Sequence, residues 1–432
     1  MNNCEIIYQM FLRTFTPEGT LNAAAKLLPH IKKCGFTIVY LCPVCCQDDD
    51  KRKEYWSERQ KDSKLNNPKN PYRISDYYNV DPEYGTNEDL KVFISAAHKL
   101  GLKVILDLVY FHCGPKAVFL EEHKDFVKCD ENGEIIYGEW HFPTLNFENP
   151  ALREYLWQNM EYYVKDFNVD GYRCDVAYLC PTDFWEEGRK RIEKIKPDVF
   201  MLNEGENKDA LKCAFDANYH YDYIHKTKAA FGGYGNANEI VEACKEMRKT
   251  IPEVKTLIRA IDTHDETQNY KYIHPEVHCG TDAVNADLVL AYMMDGIPFI
   301  FNGYEIADDN YHSIYANRFY GKNNSINWCK ALTKDGIYRK KLIKKLSKIR
   351  KQNETLYKGK LEWIENDYPD KLLSFKRIYK EKSVFVCINT SKAKVKITFP
   401  KYQNTILSSK VRLNDNVITI GKYGYFAAEI FR

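Results

Sequence analysis

Nowhere in the 432 residues is there an unbroken apolar run of the length a membrane-spanning helix needs. Strong charge of one sign is also missing. There are 63 Lys and Arg against 60 Asp and Glu, a net charge of +3 with the signs interspersed. This excludes recognition built on one broad basic face, so neither nucleic acid nor a membrane is expected as a partner. Zinc-like cysteine pairing is lacking as well. Of the 14 cysteines, only Cys42, Cys45 and Cys46 cluster, with no second ligand pair at metal-binding spacing. They read as buried or idle thiols, and the metal expectation is none. Scattered cysteines in a chain with ample core argue against a disulfide framework and for a reducing compartment. The start, MNNCEIIYQMFLRTF, lacks the charged and apolar segments of a secretory leader. A cytoplasmic location is expected, or a secreted one if a leader has been trimmed. Internal repeats and low-complexity tracts are absent too.

What is present is alternation. Strand-like apolar runs take turns with amphipathic helical stretches. Glu5–Phe11 is followed by a helix at Leu21–Cys34, Thr37–Leu41 by one at Glu88–Leu100, and Leu102–Tyr110 by one at Ala151–Asp166. The stretch 168–175 precedes a helix at Phe184–Ile195, and Asp198–Asn203 a short one at Ala210–Phe215. Ala217–Tyr221 precedes a helix at Asn238–Lys249, Thr256–Ile261 one at Asp282–Met294, and Ile297–Phe301 one at Tyr338–Lys351. Regular β-α repetition gives a parallel sheet, and eight units give a closed (β/α)8 barrel over residues 1–355. Two long excursions interrupt it. One is a charge-dense loop from about Gln47 to Tyr84, whose DDDKRKE run reads as solvated surface. The other is an insertion at about 113–146. From about 356 to 432 the pattern changes to short alternating strands, a C-terminal antiparallel β-sandwich.

Polar residues gather where barrel strands end, the end that carries chemistry in such folds. Asp107 interrupts the apolar run LKVILDLVY, and a lone carboxylate there must be paired or functional. His112 follows it. In NVDGYRCD, Arg173 and Asp175 are two apart and share one face of a strand. They are either a structural ion pair or a carboxylate held ionised for nucleophilic work. Glu204 ends the fifth strand, and His264 and Asp265 follow the seventh. Carboxylates converging on one mouth repel one another. One is expected to be raised into an acid while the arginine keeps another ionised, the equipment for glycoside cleavage.

Four short regions in this order, DLVYFH (107–112), GYRCD (171–175), MLNEGE (201–206) and IDTHDE (261–266), resemble the signature regions of the α-amylase family of glycoside hydrolases, family 13. IYQMFLRTFTPEGT, PYRISDYYNVDPEYGT and GIPFIFNGYE are similar to its flanking patterns. The resemblance spans essentially the whole chain. It implies that Asp175 is the nucleophile, Glu204 the general acid and base, and Asp265 a carboxylate that grips the sugar. It further implies that Arg173 positions Asp175 and that His112 and His264 bond sugar hydroxyls. Tyr72 stacks on the sugar ring, and Asp107 supports Arg173 from below. Two departures bear on calcium: Phe111 stands where the family has an Asn ligand, and FPTLN puts Thr144 where an acid is common. Phe111 cannot ligate a hard cation, so calcium is doubtful and no cofactor is expected. After Asp175 the family's common Lys-His pair is replaced, and Tyr178 becomes the candidate platform on the acceptor side. The implied activity is retaining hydrolysis of α-1,4 bonds in starch fragments or maltodextrins. The alternatives are a 4-α-glucanotransferase, an exo-acting α-glucosidase, or an inactive carbohydrate-binding scaffold.

Overall fold

In the computed structural model, residues 4–206, 213–251, 256–266, 274–321, 324–415 and 417–431 are described. Eight parallel strands close into a barrel: Ile7–Met10, Ile38–Leu41, Lys103–Leu108, Gly171–Cys174, Phe200–Asn203, Ala217–Asn218, Thr256–Ala260 and Ile297–Phe301. Each pairs with its successor, and the eighth pairs with the first through Ile7 and Phe299. Every strand is buried along its length, as a sheet wrapped by helices demands. The expected helix at 210–215 lies mostly outside the described residues. The sixth strand is only two residues long, and a helix not anticipated from sequence, Tyr221–Gly232, follows it directly. Tyr223, Ile224, Thr227, Ala230 and Phe231 form its buried face, and Gly233 ends it in the left-handed conformation.

The strand bearing Arg173 is fixed at its start by two residues. Asp170 accepts from the Val104 amide at 2.7 Å, His98 at 2.7 Å and Lys196 at 2.7 Å. Gly171 has φ +140°, and a Cβ there would lie 1.9 Å from the Phe200 carbonyl oxygen. Only glycine allows strands four and five to run this close. The resulting register sets Asp107 beside Arg173 across strands three and four.

In the loop after strand two, Asp49 and Lys51 to Glu54 are solvent-exposed as the charges suggest, while Asp48 and Asp50 turn inward. The loop's first residues form a short antiparallel pair, Cys45–Gln47 with Ile74–Val80. Asp48 and Asp50 are buried, and the loop wraps around the buried Arg73, which donates to the carbonyls of Tyr55, Asp48, Asp50 and Pro68. The run is charged because it supplies turn caps: Asp48 accepts from the amides of Asp50 and Lys116, each at 2.7 Å. Cys45 and Cys46 lie in this pair, their thiols pushed up to about 12 and about 11 by burial.

The C-terminal residues form one hydrogen-bonded, six-stranded antiparallel sheet. The long strand Val417–Ile430 pairs with Val395–Thr398 near its start and with Lys382–Asn389 near its end. Tyr402–Asn414 follows it throughout, with three register shifts that bend the pair. This sheet packs on helix Thr281–Met293, which is buried on all sides from Ala283 to Met293.

Candidate active site

Arg173 is fully buried at the centre of the site. Its Nη1 donates to Asp107 Oδ1 at 2.8 Å and to Asp175 Oδ1 at 2.7 Å. Its Nη2 lies 2.9 Å from Glu204 Oε2 and 3.6 Å from Asp265 Oδ2. Four carboxylates from strands three, four, five and seven thus face one guanidinium. Asp107 is held from the other side by the hydroxyls of Tyr40 and Tyr72. Its side chain has no exposure and does not border the cleft, whereas Asp175, Glu204 and Asp265 do.

Glu204 is oriented by two donors. The Val176 amide reaches Oε2 at 2.7 Å and the Tyr221 hydroxyl reaches Oε1 at 2.6 Å. Val176 makes its contact from a left-handed backbone, φ 37° and ψ 40°. For a β-branched residue this is strained, at a cost on the order of 1–3 kcal/mol. The strain turns the chain directly after Asp175 so that the next amide faces Glu204.

Burial pushes the Asp175 carboxyl well above the ordinary carboxylate range. Arg173 opposes the rise, and Glu204, Asp107 and Asp265 add to it. Asp265 is raised to about 7, by burial first and then by Glu204. The sequence suggested one acid and one carboxylate held ionised by the arginine. Instead both Asp175 and Asp265 are raised, because one cation does not offset desolvation and the mutual repulsion of the clustered acids. His112 is lowered to about 4 by burial, and His264 is lowered further by burial and Arg173. Both rings are neutral.

The cleft over these groups measures about 610 Å³. Tyr72, His112, Tyr178 and Tyr221 line it together with the three carboxylates. His112 Nε2 is anchored on the Tyr72 carbonyl at 2.8 Å, and its buried Nδ1 has no hydrogen-bond partner among the described residues. Tyr178 is about half exposed and lies against Gly205. His264 is placed differently from the other sequence candidates. It sits behind the wall, stacked on Tyr72 with ring centroids 5.2 Å apart, its Nδ1 at 2.6 Å from Gln9 Nε2 and its Nε2 bonded to the Tyr72 hydroxyl. Its Nε2 is 3.3 Å from Asp265 Oδ2.

Several site residues escaped sequence reasoning. Gln9 left a signal, a lone amide in an apolar strand. Tyr40 and Tyr221 left none among 32 tyrosines. Ser57, Glu58 and Arg59 of the charged loop form one wall, and Glu139 and Trp140 of the insertion another. Glu58 and His141 tie the two walls at 3.0 Å, and Tyr55 stacks on Tyr137 at 4.9 Å.

A family model described as "Alpha amylase, catalytic domain" matches residues 5–142 and 130–349. The chain belongs to the α-amylase family. A maltogenic α-amylase of Bacillus acidopullulyticus is 27% identical over 426 residues, covering 90% of this chain and 66% of that protein. A cyclomaltodextrinase of Thermoanaerobacter pseudethanolicus is 23% identical, covering 86% and 64%. The chain thus spans just under two thirds of the length of these curated relatives. Among solved structures, an α-amylase from Lactobacillus plantarum superimposes with a TM-score of 0.80 at 24% identity, covering 99% of each chain. A maltogenic α-amylase from Thermotoga neapolitana gives 0.78 at 23%, covering 100% of this chain and 97% of that one. These likenesses agree with the barrel and its C-terminal sheet.

Where the resemblance places an Asn calcium ligand, the side chain present is Phe111, which offers no oxygen donor. The Phe111 ring lies at 6.0 Å from Trp140 and 6.1 Å from His112, an aromatic cluster in place of oxygen donors. Thr144 is buried in a bridge to His112.

Proposed function

We propose that this protein is a retaining α-glucan hydrolase that cleaves α-1,4 bonds of starch fragments or maltodextrins by double displacement. The carrying observation is that Asp175 and Glu204 are both fastened to the guanidinium of Arg173 on the floor of an open cleft. A shared guanidinium sets the two carboxylates side by side, an arrangement that suits the retaining mechanism, whose pair stands about 5.5 Å apart against the wider inverting one. In the proposed reaction Asp175 attacks the anomeric carbon as Glu204 protonates the departing glycosidic oxygen. The Arg173 bond favours the ionised form of Asp175, the form that attacks. Glu204 then takes a proton from water, whose oxygen displaces Asp175 and releases the α-product. Asp265, with the Nδ1 of His112, grips ring hydroxyls. Tyr72 offers its ring to the sugar, and Tyr178 offers a face to the acceptor. His264 acts through Tyr72 and Asp265. The maltogenic and cyclomaltodextrin-cleaving names of the relatives support this substrate class. Among the described residues no helix is long and apolar enough to cross a membrane; together with an intracellular maltogenic amylase among the relatives, this supports a cytoplasmic setting.

The test is the product profile on maltoheptaose followed by chromatography and anomer-resolved NMR. Shorter α-anomeric products are expected. β-Anomers would overturn the retaining mechanism, and products longer than the substrate would assign a glucanotransferase.

A further inference from the structure

At the end of the barrel opposite the catalytic cleft lies a second cavity, of about 890 Å³. It opens between the starts of strands seven and eight, helix Ala237–Thr250 and the first strand of the C-terminal sheet, Lys360–Trp363. Its walls are cationic. Arg248, Arg259 and Arg377 line it, and Arg350 lies directly behind, donating to the carbonyls of Tyr292 and Met294. Arg259, Arg350 and Arg377 are each only 1% exposed. Asp295 serves two of these groups at once, Arg248 at 2.6 Å and Arg259 at 2.8 Å.

Arg377 has no carboxylate partner among the described residues. It donates to the carbonyls of Leu356 at 2.7 Å, Gly359 at 2.6 Å and Met293 at 3.1 Å. Helix C-terminal carbonyls lessen the cost of a buried guanidinium without cancelling its charge. Its Nε is buried with no hydrogen-bond partner among the described residues. Burial and the neighbouring guanidiniums push Arg377 down to about 9 and Arg350 to about 10. Crowding cations around an open space is unfavourable unless an anion enters. Arginine forks match phosphate oxygens, and several together favour a doubly charged group over a carboxylate. The cavity exceeds what a bare ion fills, and Trp363 in its wall offers an aromatic face to the remainder of a ligand.

We propose that this cavity is a binding site for a phosphate-bearing small molecule, the phosphate seated between Arg248 and Arg377 and a sugar-sized remainder against Trp363. The site is separate from the catalytic cleft and independent of the activity assigned there. Isothermal titration of the full chain at constant ionic strength tests it, with a hexose monophosphate, inorganic phosphate, the free hexose and sodium chloride as titrants. Saturable binding of the hexose monophosphate at one site per chain is expected, with no heat from free hexose or chloride. Inorganic phosphate binding as tightly as the ester would assign the site to free phosphate. Arg248 is partly exposed, so Arg248→Gln retains the fold. It should weaken binding about tenfold or more, the loss of one charge-assisted pair, and leave maltoheptaose turnover unchanged. Arg377→Met should abolish binding. Absence of saturable binding by either phosphate titrant in the wild type, or binding equally tight in Arg248→Gln, would overturn the proposal.

Discussion

Tyr221 Oη donates to Glu204 Oε1 at 2.6 Å, from the first residue of a helix that begins three residues after the sixth strand ends. The shortness of that strand is what brings the helix start over the barrel mouth. The bond fixes the rotamer of the proposed acid and base. In Tyr221→Phe the turnover on maltoheptaose should fall roughly ten- to a hundredfold, the loss of a hydrogen bond to a charged group, about 1.5–3 kcal/mol. The melting temperature should change little, since the helix keeps its apolar face. Unaltered turnover would show that the Val176 amide alone positions Glu204.

Asp265 carries the clearest pH signature. Its folded pKa of about 7 stands above the ordinary 3.8, so the native state holds a proton that the unfolded chain has released. Stability from this group is therefore present below about pH 4 and lost as the pH rises towards 7. Asp265→Asn removes the loss. Its stability relative to wild type should grow between pH 4 and 7, by about 0.5–2 kcal/mol at pH 8, while activity collapses. Urea denaturation at several pH values measures it. A pH-independent difference would mean that Asp265 is not raised.

Asp107 should act on structure and catalysis together. Asp107→Asn weakens the hydrogen bonds to Arg173, Tyr40 and Tyr72 while Arg173 keeps three other carboxylates, which should cost about 1–3 kcal/mol of stability. It should also lower kcat rather than raise KM, because Asp107 does not border the cleft. Thermal unfolding and steady-state kinetics on one preparation separate these effects. An increase in KM alone would contradict the supporting role.

Chelation addresses the aromatic cluster around Phe111. Stability and activity should be unchanged in excess EDTA, with a melting shift within about 1 °C, since no metal binding is linked to folding in this reading. A drop of many degrees would show that other oxygens form a calcium site.

The barrel and its polar strand ends were legible because strand period and chain order are local. Asp107, Arg173, Asp175, Glu204 and Asp265 each sit at a strand end that a window of a few residues reveals, and the structure brings all five together. What stayed hidden depends on contacts distant in sequence. Gln9 meets His264 across 255 positions and Tyr40 meets Asp107 across 67. The sixth strand was legible at Ala217–Tyr221, though it spans only Ala217–Asn218. The helix at Tyr221–Gly232 opens with tyrosines that read as strand. The DDDKRKE run is mostly solvated as its composition suggests, but the inward turn of Asp48 and Asp50 stayed hidden because Arg73, whose guanidinium they surround, lies more than 20 residues away. His264 was assigned to the sugar from its motif alone, without the Gln9 and Tyr72 contacts that set it behind the wall.

Helix Thr281–Met293 is buried around its whole circumference and mostly apolar, and the C-terminal sheet lies against it. A barrel cut off near Gly359 would present that helix to water as an adhesive stripe and drive the fragment into aggregates. The last seventy residues therefore serve the barrel as a built-in chaperoning cover, and nicking the junction would convert a folding problem of one part into the loss of both.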